Sequence, residues 1–301
     1  MGRPCSVYGL VLSLTLAILG GCTGETDNES GDVGPVDRFV DVGGHRLHFQ
    51  SMGEGTPVVV FDTGITETYR TWEGVFAGVS RDSRVVVYDR AGYGDSEVGS
   101  FPRTAQQVVS ELHRLLEQAE VGDRFLLVGH SLGATHMVAF AAAHPGKVSG
   151  LVVIDPPPLE FITGRQFTDL LPMFRQQTSE FNRLAQEHRQ AGREDQAGFF
   201  QTVASESEML IATTAEQIAK ITDLGDIPLI VIGSSRPNPA FGEAAQAFQA
   251  FWIESNQKLA TLSTQGKFIL AENAGHHVHL DAPEIIRAAI DEIVASSANS
   301  K

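Results

Sequence analysis

Gly129-His130-Ser131-Leu132-Gly133 places one serine between two glycines. A serine hydroxyl is a weak nucleophile until a base takes its proton and a third group orients that base. Further along, the chain supplies a residue of each kind. Asp155 ends an apolar run, and His276 follows Gly275 just before a proline-started helical pattern. Together they could perform acyl transfer through a covalent intermediate on serine. Chance makes five-residue patterns of this kind too, so the elements around the three residues must carry the argument.

Those elements alternate. Two strands are predicted around Gly43-Gly44, a hairpin signal. Short, nearly continuous apolar runs follow at 57–62, 84–89, 124–131, 148–155, 227–234 and 267–272. All six are read as strands, the first three with the look of strands covered on both faces. Between them, residues 104–121 place apolar side chains at a helical spacing, "LGATHMVAFAAAHP" reads as a small-residue helix stopped by Pro145, and 283–296 closes as a helix with proline at its start. Strands separated by helices predict an α/β fold. It has a mostly parallel sheet with an antiparallel N-terminal edge and helices on both faces. Residues 156–226 break the rhythm with helical patterns only and are expected to form a cap between two core strands. The core then runs over 37–155 and 227–301. In this layout Ser131 sits on a sharp turn between a strand and a helix. There the hydroxyl is exposed, and the Leu132 N–H, at the helix start, can donate to an oxyanion.

On these motifs the chain resembles the α/β-hydrolase family over about residues 37–296. "YDRAGYGDS" (88–96) is similar to the family's loop after its fourth core strand. "AGHHVHLDAPE" (274–284) is similar to its late histidine segment, and "FDTGIT" (61–66) stands where the family has its oxyanion loop. "DRAGYG", "VGHSLGA" and the Gly-His…His-Leu-Asp string look like esterase-like bacterial members. The resemblance implies Ser131 as nucleophile, His276 as base, and the Ile65 N–H as second oxyanion donor. Asp62 and Thr63 replace the histidine common there. His277, His279 and His130 are read as packing or turn residues, and no metal or other cofactor is expected.

The acid is less direct. Many relatives carry it three residues past the glycine of the strand matching "LIVIG"; here that residue is Arg236, and no carboxylate occurs between Asp226 and Glu243. Asp155 is the favoured acid, with Pro156-Pro157-Pro158 stiffening the exit. The alternative is no true acid, with Asn238 or water holding His276.

Residues 1–21 carry Arg3, an apolar run and two glycines, the layout of a secretory signal. Leu19-Gly20-Gly21-Cys22 resembles a bacterial lipobox, which implies cleavage before Cys22 and lipid on its sulfur. An ordinary signal with Cys22 incidental is the other reading. Cys5 and Cys22 are the only cysteines, so the mature chain could form no internal disulfide. Residues 22–36 then form an acidic, polar tether.

The formal net charge of −15 argues against nucleic-acid partners. The expected protein is exported, held to a membrane through Cys22, and acts on a small ester-like substrate. Thioester, amide, acyl-transfer and carbon–carbon chemistry on the same triad remain open, as does a non-catalytic ligand-binding role. A serine at this turn argues against the dehalogenase and epoxide-hydrolase chemistry that uses aspartate there. Phe161, Phe167, Leu170, Met173 and Phe174 would line an apolar substrate site or pack the cap on the core.

Overall fold

The computed structural model describes residues 36–158 and 167–298. The expected leader over 1–21, Cys22 and Phe161 lie outside the described residues. Val36–Asp41 (β1) and Arg46–Met52 (β2) pair antiparallel across the Gly43-Gly44 turn, where both glycines take positive φ. Val58–Asp62 (β3), Val85–Tyr88 (β4), Phe125–His130 (β5), Val148–Ile154 (β6) and Leu229–Ser234 (β7) are buried at every position, which is why their sequences lack a polar alternation. Gly266–Ala271 (β8) forms the far edge and is more exposed than β3 to β7.

The spatial order is β1-β2-β4-β3-β5-β6-β7-β8. β2 pairs antiparallel with β1 and β4, and the rest of the sheet is parallel. From β3 the chain moves outward to β4, then returns across β3 to β5. This reversal puts the carboxyl end of β5, with Ser131, beside that of β3, where open α/β sheets bind ligands.

Among the described residues the α-helices are Glu73–Val79 (α1), Ala105–Gln118 (α2), Leu132–Ala143 (α3), Leu171–Gln190 (α4), Glu194–Met209 (α5), Ala215–Ile218 (α6), Ala245–Ala260 (α7), Val278–Asp281 (α8) and Pro283–Ala298 (α9). Alternate strand residues feed two cores. Val60, Leu127 and Leu151 pack with Leu112, Met137 and Phe140 of α2 and α3. Val59, Leu126, Val128 and Val152 pack with Val75 of α1 and with Ile286, Ile290 and Ile293 of α9 on the other face. Strand periodicity of two, with both faces covered, produces this split. Thr104 caps α2 by accepting from the Gln107 N–H at 3.2 Å. Residues 171–190 and 194–218 are helical, and no described residue between β6 and β7 is in a strand. No helix among the described residues is long and apolar enough to cross a membrane.

α1 and α7 are not foreseen by apolar spacing. α1 has seven residues and two glycines, and α7 buries Gln249 and Asn256 along with Phe248, which breaks the pattern.

Gly150 of β6 sits under α9, where an added Cβ would lie 2.4 Å from Ile293 Cγ2. Ile293 is β-branched and packed, so it yields little. Gly150→Ala is expected to destabilise the protein by about 1–3 kcal/mol in urea unfolding; a change below about 0.5 kcal/mol would contradict tight packing of α9 on β6.

Candidate active site

Between β5 and α3 the backbone turns at Ser131, with φ 52° and ψ −119°. A non-glycine residue held there stores strain. The neighbours explain how it is held. An added Cβ on Gly129 would lie 2.7 Å from the Ala134 backbone, and one on Gly133 would lie 2.4 Å from the Thr63 carbonyl. Only glycine lets α3 close onto β5 and lets the β3 exit approach α3. The Ser131 N–H donates to Ile154 O at 2.9 Å, which ties the turn to β6.

Asp155 leaves β6 with φ 46°, one residue past that carbonyl. Its carboxylate is almost fully buried and can only accept. Oδ1 takes the Ser234 N–H at 2.9 Å. Oδ2 takes the Ser234 hydroxyl at 3.0 Å and His276 Nδ1 at 2.7 Å. Gln249 of α7 donates to the Ser234 carbonyl and hydroxyl, holding that residue in turn. The opposite nitrogen of His276, Nε2, lies 2.9 Å from Ser131 Oγ. Because Asp155 fixes the proton on Nδ1, Nε2 presents its lone pair to the hydroxyl. Burial holds the His276 pKa below its ordinary 6.5; the Asp155 bond pulls it up, and His130 and His277 push it down. At neutral pH the ring is a free base.

The β3 exit faces Ser131. Leu132, the first residue of α3, has no intrahelical acceptor for its N–H. Ile65 likewise finds no acceptor for its N–H among the described residues. The loop that carries Ile65 is held from below by Arg90. Its guanidinium is buried and donates to Asp62 Oδ1 at 2.8 Å, to the Thr63 carbonyl at 2.7 Å and to the Gly64 carbonyl at 3.0 Å. The other side of the same fork meets both oxygens of Glu206 from α5 at 3.0 Å. Burial alone would raise the Asp62 pKa, but Arg90 and His136 hold it at about 2. Asp62, which replaces the expected histidine, is therefore the loop's anchor to Arg90.

Four histidine rings gather beside this loop. His130 stacks obliquely on His276 with centroids 4.8 Å apart, and on His279 at 4.4 Å. Glu67, His130 and His279 offer donor atoms within 4.8 Å of one another, as do His48, Asp89 and Asp95, so each group has residue types that could hold a metal. In the first group Glu67 and His130 already pair, and His279 Nε2 lies 2.7 Å from Thr71 Oγ1. His130 and His277 are thus polar partners of a buried carboxylate and not merely packing residues.

Against known proteins, the sequence matches the Alpha/beta hydrolase family over residues 59–289. The chain belongs to the α/β-hydrolase family. It is 28% identical over 261 residues to the uncharacterized protein YqjL of Bacillus subtilis (strain 168), covering 86% of this chain and 92% of that one. Among solved structures it superposes on a lipase candidate (lip1) from Acinetobacter baumannii AYE with a TM-score of 0.70 and 18% identity, covering 89% and 93% of the two chains. An epoxide hydrolase candidate from Pseudomonas aeruginosa gives a TM-score of 0.62 and 19% identity, covering 89% and 97%.

In this α/β-hydrolase, Arg236 pairs with Asp281 at 2.8 Å, and the same Asp281 oxygen accepts the Gly275 N–H at 2.7 Å. Arg236 also donates to the Asn273 carbonyl at 3.1 Å. Arg236 therefore braces the loop carrying His276. Asn238 accepts from the Ala240 N–H and caps the turn that follows it. Trp252 of α7 meets the His276 ring edge-on at 5.5 Å. Rings continue outward from it through Phe248 to Phe241 and Phe167, and Phe174 reaches Phe241 at 6.4 Å. The aromatic residues of the helical insertion thus approach the histidine through α7.

Arg90, Asp62, Glu206 and Ser234 escape sequence reasoning as site-building residues. Arg90 carries a signal from its place in "DRAGYG" and Asp62 from its place in "FDTGIT"; Glu206 and Ser234 carry none. Arg90→Met takes the cation from two buried carboxylates, leaving Asp62 to His136 and Glu206 to the Tyr93 hydroxyl, and is expected to cost about 3–5 kcal/mol in chemical denaturation; a loss under about 1 kcal/mol would contradict the pairing. The stabilisation from Asp62 is fully present above its ordinary 3.8 and fades as pH falls toward 2.

Proposed function

We propose that this protein is a serine hydrolase that cleaves carboxylic esters through an acyl-enzyme on Ser131. The observation that carries the reading is the unbroken Asp155–His276–Ser131 hydrogen-bond chain on a strained strand-to-helix turn. As His276 Nε2 takes the hydroxyl proton, Ser131 Oγ attacks the acyl carbon. The carbonyl oxygen gains charge, and the N–H groups of Leu132 and Ile65 are the donors assigned to it. Protonated His276 returns the proton to the departing alkoxide, releasing an alcohol and leaving the acyl group on Ser131. Water then attacks that ester with His276 again as base, which frees the acid and restores the serine. Asp155 holds the ring in the tautomer that this sequence needs.

The serine at the turn speaks against epoxide hydrolysis, since epoxide hydrolases of this fold use aspartate there, and leaves acyl chemistry, of which ester cleavage is the reading proposed. The aromatic side chains between Trp252 and Phe174 favour an apolar acyl or alcohol portion. Residues 156–226 serve as the cap that selects it. We further propose that the leader over 1–21 directs export and that Cys22 carries the lipid that holds the protein to a bacterial membrane, with 22–36 as tether.

Asp155→Asn is expected to lower kcat about 10³–10⁴-fold with KM little changed, because the imidazole loses its orienting acceptor; near-normal turnover would contradict the assignment of Asp155. In a panel of short and long acyl esters, thioesters and amides, esters are expected to turn over fastest. Preference for an amide or thioester would shift the reading to that chemistry. Activity needs neutral His276, so the acid limb of kcat/KM is expected below pH 6.5, with rate lost as pH falls through it; a limb above pH 7 would contradict the low basicity assigned to the ring. Cys22→Ser is expected to release the protein from the membrane fraction, and retention there would overturn the lipid anchor.

A further inference from the structure

Glu67 lies two residues past Ile65 in the same loop, and its side chain is only 10% exposed. Four groups converge on its carboxylate. Oε2 accepts the Gly64 N–H at 2.7 Å and lies 3.0 Å from His130 Nδ1. Oε1 lies 3.2 Å from His277 Nε2 and 3.7 Å from His279 Nε2. The Glu67 carbonyl also accepts from the Thr63 hydroxyl at 3.1 Å. The remaining nitrogen of His130, Nε2, lies 2.9 Å from the His276 carbonyl oxygen.

Resting on the serine-hydrolase reading above, we propose that Glu67 is a positioning residue whose carboxylate, through Gly64 and His130, locks the oxyanion loop, the nucleophile turn and the His276 loop to one another. Three segments far apart in sequence meet on this one side chain. Gly64 precedes the assigned oxyanion donor, His130 precedes Ser131, and the carbonyl that His130 holds belongs to His276 itself.

The hydrogen-bond inventory fixes the protonation of the clamp. A carboxylate and a backbone carbonyl can only accept, so both nitrogens of His130 must donate. His130 is then an imidazolium, neutralised by Glu67 in a buried setting. The charged groups around the pair agree with that state. The Glu67 charge pulls the His130 pKa above its ordinary value against burial, with the His276 carbonyl and Asp155 adding to the pull. The Glu67 pKa, which burial would raise, is held far below the usual carboxylate range by His130, His277 and His279. His279 is pushed down to about 2 by burial and by the His130 charge, so it stays neutral. A divalent cation would use the same donors, but it would need the His130 Nδ1 lone pair, which carries a proton here. It would also need His279 Nε2, which faces Thr71.

The reagent for the test is Glu67→Gln, which keeps the shape and removes the charge. Two readouts are taken on the full-length protein. The first is the rate at which a fluorophosphonate labels Ser131, together with kcat and KM on an ester that the wild type turns over. The second is the ¹⁵N spectrum of labelled histidines, with His130 assigned by its absence in His130→Gln. The expected result is a fall in labelling rate and kcat of about ten- to a hundred-fold with KM within about twofold. Wild-type His130 is expected to hold both protons at pH 7, and the variant's His130 only one. Glu67→Asp keeps the charge one methylene short and is expected to fall between the two; it carries the test if Glu67→Gln does not fold. Wild-type kinetics in Glu67→Gln, or a neutral His130 in the wild type, would overturn the proposal. A wild-type protein never labelled at Ser131 would sink the hydrolase reading alone. The ¹⁵N spectrum then decides the clamp, with two protons on His130 supporting it and one overturning it.

Discussion

A carboxylate with about one per cent of its surface in water must be satisfied by its neighbours or lose its charge, and Asp155 is in that position. Its two oxygens meet three donors, two from Ser234 and one from His276. β6 and β7 must therefore keep register to their last residues, because Ser234 ends one strand and Asp155 follows the other. The Asp155 N–H to the Ile232 carbonyl, at 2.7 Å, extends the pairing past the strand end. α7 must also lie where Gln249 can hold Ser234. The orientation of His276, and through it the state of the Ser131 hydroxyl, follows from how this one acid is satisfied.

The loop opposite Ser131 is organised by the same rule with more charge. Arg90 brings a buried cation between Asp62 and Glu206, and Glu67 brings a buried anion against His130. Pairs of this sort contribute little net stability, because desolvation offsets attraction, but their geometry is narrow. Here both pairs grip the segment 62–67, from two sides. Most of that segment lies past the end of β3, so its shape depends on the charges. Glu206 belongs to the helical insertion, so the same network also joins that insertion to the loop that faces Ser131.

The sequence made the sheet legible because strands covered on both faces are written as unbroken apolar runs, and each such run became a strand. The turn at Ser131 was legible for a related reason, since its two glycines are required by close backbone approaches that no other residue permits. Asp155 could be chosen because it ends an apolar run and three prolines stiffen the exit after it. The rest was hidden by distance. Glu67 meets His130 across 63 residues, Asp155 meets Ser234 across 79, and Arg90 meets Glu206 across 116. Nothing local marks such pairs. Arg236 was conspicuous in the sequence only as a missing acid; its role in bracing the His276 loop through Asp281 depends on a contact 45 residues away.

The central claim is that Ser131 is an activated nucleophile. Its most direct measurement is the intact mass of the protein after exposure to a fluorophosphonate, followed by peptide mapping. One adduct per chain on the peptide containing Ser131, absent from Ser131→Ala, is the predicted result. A well-folded protein that gains no adduct, or gains it on another residue, would contradict the account.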